Sequence, residues 1–320
     1  MLFHRAAVAL RHAESVVVCG HVRPDGDAVG SVLAATLALR HAGIAAVPTL
    51  ADDAPPPATY AFLPGFALYT PASELETPAA FLALDSPSLE RLGVAAEMAS
   101  AATSLIVMDH HPEAEEFGGV NILDPTSSAT GELVWKLLEV LEVSPTPEIA
   151  MCCFVALQTD TGRFQYSNTT PESFRHAAEL VEAGVDPAEV SRLVYESRTA
   201  ASIALEGYAL SRITVVNSGH VGYSWIADED FVLTGAQRGD GERLIDAVRA
   251  LGGIDVALLF SLRGDEVRVN LRAKTGFDVG AVARAFGGGG HKAASGFTVP
   301  APLDDLLPKL LPMLPGGDLT

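Results

Sequence analysis

Cysteine is scarce in this chain: three of 320 residues, Cys19, Cys152 and Cys153. An odd count in apolar surroundings gives no disulfide framework, and no CxxC spacing offers a thiolate metal site. The three read as core residues of a protein kept in a reducing cytoplasm. Basic residues are also few: 21 Lys and Arg against 40 Asp and Glu leave a formal net charge of −19. That balance argues against a long duplex nucleic-acid partner, which is held through many cationic contacts to phosphate. It leaves room for a short anion bound at a local basic patch. No apolar run approaches the roughly 18 residues of a membrane span. The longest, residues 149–157 (IAMCCFVAL), reads as a buried helix. The start, MLFHRAAVALRH, has charges among its apolar positions, so no signal peptide is expected.

What is present is a soluble globular composition, with 48% hydrophobic and 19% charged residues. The length allows two domains. The first half alternates short apolar strands (residues 15–19, 44–50, 81–84 and 104–108) with helical stretches (28–42, 131–141, 148–157 and 171–183). This is the mark of an α/β domain built on a parallel sheet. Residues 186–210 read as continuous helix, opened by Asp186-Pro187 as cap and first turn. Beyond it the chain turns β-rich, with a helix at 277–286, the run GGGGHKAASGF and a tail read as frayed. The expected organisation is a domain over 1–187, a helical linker over 188–202 and a smaller α/β domain over 203–320, with a cleft between the two domains.

Three motifs stand at the carboxyl ends of candidate strands: GHVRPDGD with His21, Asp25 and Asp27; LDSP with Asp85; and MDHHP with Asp109, His110 and His111. Asp160 follows an apolar helical run in QTDTGRF. Ligands bind at the carboxyl edge of open parallel sheets. Each motif has an ordinary alternative: Asp27 could cap a helix beginning at Ala28, Asp85 could be a cap before Ser-Pro, and Asp160 could be a turn residue. The adjacent His110 and His111 could be a polar surface pair, but four such coincidences on one edge are harder to accept. Asp25, Asp27, Asp85 and Asp160 together would carry −4, which two divalent cations cancel. Four carboxylates and two histidines also exceed what one ion takes. Mixed His and carboxylate ligation favours Mn²⁺, with zinc or cobalt as alternatives, over magnesium. Two such ions sharing a hydroxide suit in-line hydrolysis of a phosphate ester or anhydride.

In the second half, EVRVNLRAK alternates Arg268, Asn270, Arg272 and Lys274 with apolar residues, so a strand would place the four polar side chains on one face. Three cations and an amide make a candidate phosphate-binding surface. The glycines of residues 287–290, followed by His291, let backbone approach an anion closely.

In their order, HVRPDGDAVGS, LDSP, MDHHP, QTDTGRF and GGGGHKAASGF resemble the DHH phosphoesterases, over residues 15–297. Among them the chain looks like the bacterial group that combines oligoribonuclease and 3′-phosphoadenosine-5′-phosphate phosphatase activities. The resemblance implies that His21, Asp25 and Asp85 hold one Mn²⁺. It implies that Asp27, Asp85, His110 and Asp160 hold a second, with Asp85 bridging. It further implies that His111 contacts the scissile phosphate or protonates the leaving oxygen, with Asp109 behind it. Arg272, Gly289, Gly290 and His291 would bind the substrate's far end, on the face that also carries Arg268 and Asn270. Where the family often has Ser-Leu-Arg-Ser, this chain has Asn270-Leu271-Arg272-Ala273, which removes a hydroxyl but keeps the arginine. The expected partners are short RNA oligonucleotides and nucleotide bisphosphates, with no membrane and a homodimer as the assembly. Other enzymes with these motifs cleave single-stranded DNA, polyphosphate or pyrophosphate. A nucleotide-binding regulator that hydrolyses nothing is the alternative of a different class.

Overall fold

Aliphatic runs too short for helices build the first sheet: β1 (Val16–Cys19), β2 (Ala46–Thr49), β3 (Ala80–Leu84), β4 (Ser104–Asp109) and β5 (Val120–Leu123). The structure is a computed structural model and describes residues 1–52, 55–241, 244–290 and 292–317. The chain divides into two units, Met1–Ser197 and Arg198–Thr320. In the first, all five strands run parallel in the order β2-β1-β3-β4-β5. Every residue of β1 and β3 is buried, as expected of strands covered on both faces. Pro48 sits in β2, an edge strand, where a missing N–H costs least.

Side chains alternate between two clusters, as the period of two requires. Val16, Val18, Leu82, Leu84, Ile106 and Met108 meet α1 (Leu2–His12), α2 (Gly26–His41), α4 (Thr130–Val140) and α5 (Pro147–Asp160). Val17, Cys19, Phe81, Ala83 and Val107 meet Leu92, Ala95 and α3 (Ala96–Ala101) on the opposite face. Helices α6 (Pro171–Glu182) and α7 (Pro187–Tyr195) complete the unit. The three cysteines are free and buried, as their apolar settings predict. Burial pushes their thiols up, which makes them poor nucleophiles.

The structure corrects the sequence reading in several places. Helix α1 and strand β5 are additional elements. The stretch read as one helix from 186 breaks after Tyr195, and α8 (Ala200–Ser211) restarts with Thr199 accepting from the Ser202 N–H. The tail, expected to fray, buries Leu314 in the second unit's core; residues 318–320 lie outside the described residues.

The second unit carries a six-stranded mixed sheet in the order β10-β11-β9-β8-β7-β6. Its strands are β6 (Thr214–Val216), β7 (Val221–Ala227), β8 (Val256–Arg263), β9 (Glu266–Ala273), β10 (Gly289–Gly290) and β11 (Ala294–Val299). Helices α9 (Asp228–Thr234) and α10 (Leu244–Arg249) connect the parallel pair β7 and β8. One sheet face packs on α11 (Val279–Ala285) and α12 (Leu303–Leu310), and the other on α8 and α10.

Helices α2, α4 and α5 approach closely because glycines face the contacts. A Cβ on Gly30 would lie 2.5 Å from the Cys152 carbonyl oxygen, and one on Gly131 would lie 2.5 Å from the Ala156 Cβ. Gly30→Val is expected to destabilise the protein by about 2 kcal/mol or more in urea unfolding, since backbone cannot yield as a side chain can. Gly207→Ala is the control: with nothing within 4 Å, it should be neutral or stabilising by about 0.5–1 kcal/mol.

Candidate metal centre

Strand β1 ends at Cys19, and the loop beyond it brings His21 inward, 6% exposed. Asp25 is the N-cap of α2: its carboxylate accepts the N–H groups of Asp27 (3.0 Å) and Ala28 (3.1 Å). The cap expected at Asp27 is therefore at Asp25. Asp27 lies in the first turn of α2, 1% exposed, and reaches across to a different helix. It accepts the N–H groups of Thr130 (2.6 Å) and Gly131 (3.0 Å) and the Ser31 hydroxyl (2.7 Å). The N-cap of α4 is Ala129, which has no side-chain oxygen to offer, so Asp27 supplies the acceptor and its charge meets the positive helix end.

Asp85 follows β3, donates its N–H to the Met108 carbonyl (3.0 Å) and has φ of +53°. Aspartate tolerates this left-handed region better than most residues, and the turn directs its carboxylate off the strand end. Asp109 closes β4 and is followed by His110 and His111. Asp160 is the last residue of α5, and the Asn168 amide donates to both its side chain and its carbonyl, each at 3.1 Å. All the ligands expected from the sequence thus converge within the first unit.

The His21 Nε2 lies 3.8 Å from Asp25 Oδ1 and 3.4 Å from Asp85 Oδ2. The His110 Nε2 lies 3.7 Å from Asp27 Oδ2, 3.7 Å from Asp85 Oδ1 and 3.6 Å from Asp160 Oδ2. These separations are longer than ordinary hydrogen bonds. Two ligands each about 2.1 Å from one ion stand about 3.0–3.5 Å apart, close to what is seen. Both rings are held from behind: Nδ1 of His21 lies 2.8 Å from the Val22 carbonyl, and Nδ1 of His110 lies 3.2 Å from the Ser127 carbonyl. A proton on Nδ1 leaves each Nε2 lone pair facing the carboxylates, the arrangement of metal-binding histidines. The donor set fits divalent cations, and the sets His21/Asp25/Asp85 and Asp27/His110/Asp160 each have donor atoms within 4.8 Å of one another.

Electrostatics agree. Burial alone would lower His110, yet Asp160, Asp27 and Asp85 raise it to about 10. Burial is likewise overcome at His21 by Asp25 and Asp85, which raise it well above its ordinary value. Burial, reinforced by Asp25 and Asp85, pushes Asp160 up to about 6. Without a cation, ring protons balance the carboxylates. A bound cation would take their place.

His111 is set apart. Asp109, fully buried, accepts its Nδ1–H (2.8 Å) and its backbone N–H (2.6 Å). Desolvation lowers His111, but the Asp109 hydrogen bond and Asp85 raise it to about 9. Its Nδ1 is 3.5 Å from Asp85 Oδ1, so it stands beside the cluster.

In the second unit, β9 has the expected alternation: Val267, Val269, Leu271 and Ala273 are buried, while Arg268, Asn270 and Arg272 are half-buried on the other face. Across the sheet Arg272 pairs with Ala294, Asn270 with Gly296, and Gly296 with Gly289. Small residues therefore form a shallow floor beside the cations. Gly290, with φ of +123°, is in a conformation that favours glycine. Lys274 departs from the expectation: it lies past the end of β9 and bonds the Leu251 carbonyl. His291 lies outside the described residues.

Sequence reading missed Thr130, Asn168, the Ser127 carbonyl and Arg91, whose half-buried guanidinium lies 3.2 Å from His21 Nδ1. The only signal for Asn168 was its place in the polar turn YSNTTP, and for Thr130 its place at a helix start.

Residues 15–157 match the DHH family N-terminal domain and residues 231–314 match the DHHA1 domain. The bifunctional oligoribonuclease and PAP phosphatase of Thermus thermophilus is 34% identical over 89% of this chain and 84% of its own length. Its counterpart in Bacillus subtilis is 26% identical over 89% and 90%. An exopolyphosphatase-related protein from Bacteroides fragilis shares the fold, with a TM-score of 0.87, 23% identity, and coverage of 96% of this chain and 93% of that one. The chain belongs to the DHH family, and its second unit carries the DHHA1 domain that accompanies it.

Proposed function

We propose that this protein is a cytoplasmic, Mn²⁺-dependent phosphoesterase. It hydrolyses oligoribonucleotides of a few nucleotides to nucleoside 5′-monophosphates and converts 3′-phosphoadenosine-5′-phosphate to AMP. The observation that carries this reading is the placement of Asp85. One of its oxygens lies 3.4 Å from His21 Nε2 and the other 3.7 Å from His110 Nε2, so a single carboxylate faces two histidine-bearing ligand sets. Two divalent cations are therefore assigned, one to His21, Asp25 and Asp85 and one to Asp27, Asp85, His110 and Asp160. When bound, they supply Lewis-acid stabilisation of the phosphoryl charge and an activated water. The relatives named above as oligoribonuclease and PAP phosphatase support this substrate class.

Both reactions break the same bond. Water adds to phosphorus, the P–O3′ bond opens, and a ribose 3′-oxygen leaves needing a proton. His111, its Nδ1–H fixed on Asp109, presents Nε2 as the donor of that proton. Arg268, Asn270 and Arg272, with the Gly289–Gly290 backbone and His291, are assigned to the substrate's terminal phosphate or base. An assay comparing labelled RNA dimers to pentamers, 3′-phosphoadenosine-5′-phosphate, linear pApA and pyrophosphate tests the proposal. Release of monophosphates from the RNA and of phosphate from the bisphosphate is expected; turnover of pyrophosphate alone would overturn it.

Asp85→Asn keeps the left-handed backbone while removing the shared charge. It should lower kcat at least about 100-fold with every substrate, and bound metal should fall with it in elemental analysis. Arg272→Ala should raise KM for both substrate classes about tenfold or more, as loss of a charged hydrogen bond predicts, with metal content unchanged. Metal loading should also release protons. Raised values at His21 and His110 mean both rings are protonated at pH 7 without metal. A ligating imidazole must be neutral and a ligating carboxyl ionised, and burial with Asp85 also holds Asp27 well above its ordinary value, so about two or more protons should leave per protein at pH 7. Titration calorimetry in buffers of different ionisation enthalpy would read that number.

A further inference from the structure

The turn at residues 127–131, SSATG, joins β5 to α4 and belongs to none of the motifs singled out in the sequence. It nevertheless touches three of the four donors of one ligand set and reaches the fourth, Asp160, through Asn168. The Ser127 carbonyl meets His110 Nδ1 at 3.2 Å. The Thr130 and Gly131 N–H groups hold Asp27 at 2.6 and 3.0 Å. The Thr130 hydroxyl donates to Asp85 Oδ1 at 3.1 Å, the oxygen on the His110 side. The Ser128 carbonyl accepts from Asn168 at 3.1 Å, and the same amide holds Asp160 Oδ2. Among the described residues no hydrogen bond runs from this turn to His21 or Asp25.

The turn is itself braced. Buried Glu132 accepts the Ser128 N–H at 3.0 Å, and the Ser128 hydroxyl bonds the Asn168 carbonyl (2.7 Å) and the Ser173 hydroxyl (2.5 Å). Gly131 is wedged against Ala156 of α5. A helix start needs acceptors for its free N–H groups, and Asp27 and Glu132 meet that need. Capping does not require a hydroxyl on Asp85 or a carbonyl behind His110. Those two contacts, made from the same five residues, point to ligand orientation.

We propose that the 127–131 turn sets the geometry, and so the affinity, of the cation held by Asp27, Asp85 Oδ1, His110 and Asp160, far more than that of the one held by His21, Asp25 and Asp85 Oδ2. Thr130 is its central positioning residue, tying Asp27 to the shared Asp85. The inference rests on the reading of two bound cations. Outer hydrogen bonds of this kind change metal affinity by about 10–100-fold when removed.

The test is Mn²⁺ titration of the metal-free full chain by calorimetry, with electron paramagnetic resonance of the loaded protein to separate a spin-coupled pair from an isolated ion. Thr130→Val keeps the N–H and the shape but deletes the hydroxyl. It should weaken one of the two binding steps by about 10–100-fold, leave the other within about twofold, and replace coupled signal by isolated Mn²⁺ at limiting metal. Thr130→Ser should restore the wild-type isotherm. Asn168→Ala, which severs the link to Asp160, should weaken the same step and serves if Thr130→Val folds poorly. Equal weakening of both steps, or none, would overturn the proposal. A wild type that takes up a single ion would overturn the two-cation reading and this inference with it.

Discussion

Like charges forced together at one sheet edge are the constraint around which the first unit is arranged. Two carboxylates about 4 Å apart repel by about 4 kcal/mol at an effective dielectric near 20. Hydrogen bonds to a charged group recover about 1.5–3 kcal/mol each. Asp27, with two backbone donors and one hydroxyl, recovers part of this cost, yet burial and Asp85 still hold its carboxyl well above the ordinary range. Asp85 has one hydroxyl donor and three histidines around it, so its charge must be met by ring protons or by cations. The parallel sheet makes this concentration of charge feasible, because β1, β3 and β4 end side by side while their buried bodies hold the ends in register.

The chemistry was legible in the sequence where it depends on side-chain type at strand ends. His21, Asp85 and His110 each follow a short apolar run, and α/β alternation predicts the edge they share. Less legible was the division of labour between neighbours. Asp25 and Asp27 are both plausible caps from spacing alone, and only the approach of α4 decides that Asp25 caps α2 while Asp27 serves another helix. Backbone contributions were invisible, since any residue at 127 or 131 would offer the same carbonyl or N–H. Strand β5 escaped notice because VNIL is short, lies at the sheet edge and has a single buried residue. The helix read through 186–210 shows the limit of periodicity, as Thr199 restarts a helix that propensity alone would have continued.

The second unit uses different physics on its polar face. Its sheet buries the apolar side of β9 under α11 and α12, which leaves the alternate positions to arginines and an amide. Alanine and glycine opposite Arg272 and Asn270 on β11 remove side-chain bulk without removing backbone donors, while Thr298 stands opposite Arg268. On the proposed function, such a surface would discriminate by charge and shape rather than by base identity. The whole chain carries a net charge of −19, so this cationic strip is a local exception to its overall sign.

Asp27 held by the start of α4 separates two kinds of counter-charge. Ring protons and cations exchange with solvent and follow pH and metal supply. The helix end is permanent: its free N–H groups carry roughly half an elementary charge that no chelator removes. A carboxylate anchored in this way cannot swing out when the ion departs, so vacancy and occupancy share one skeleton. At Asp27 the centre is thus preorganised by backbone hydrogen bonds, and a cation binding there would meet a donor already in place instead of spending its binding energy to gather it.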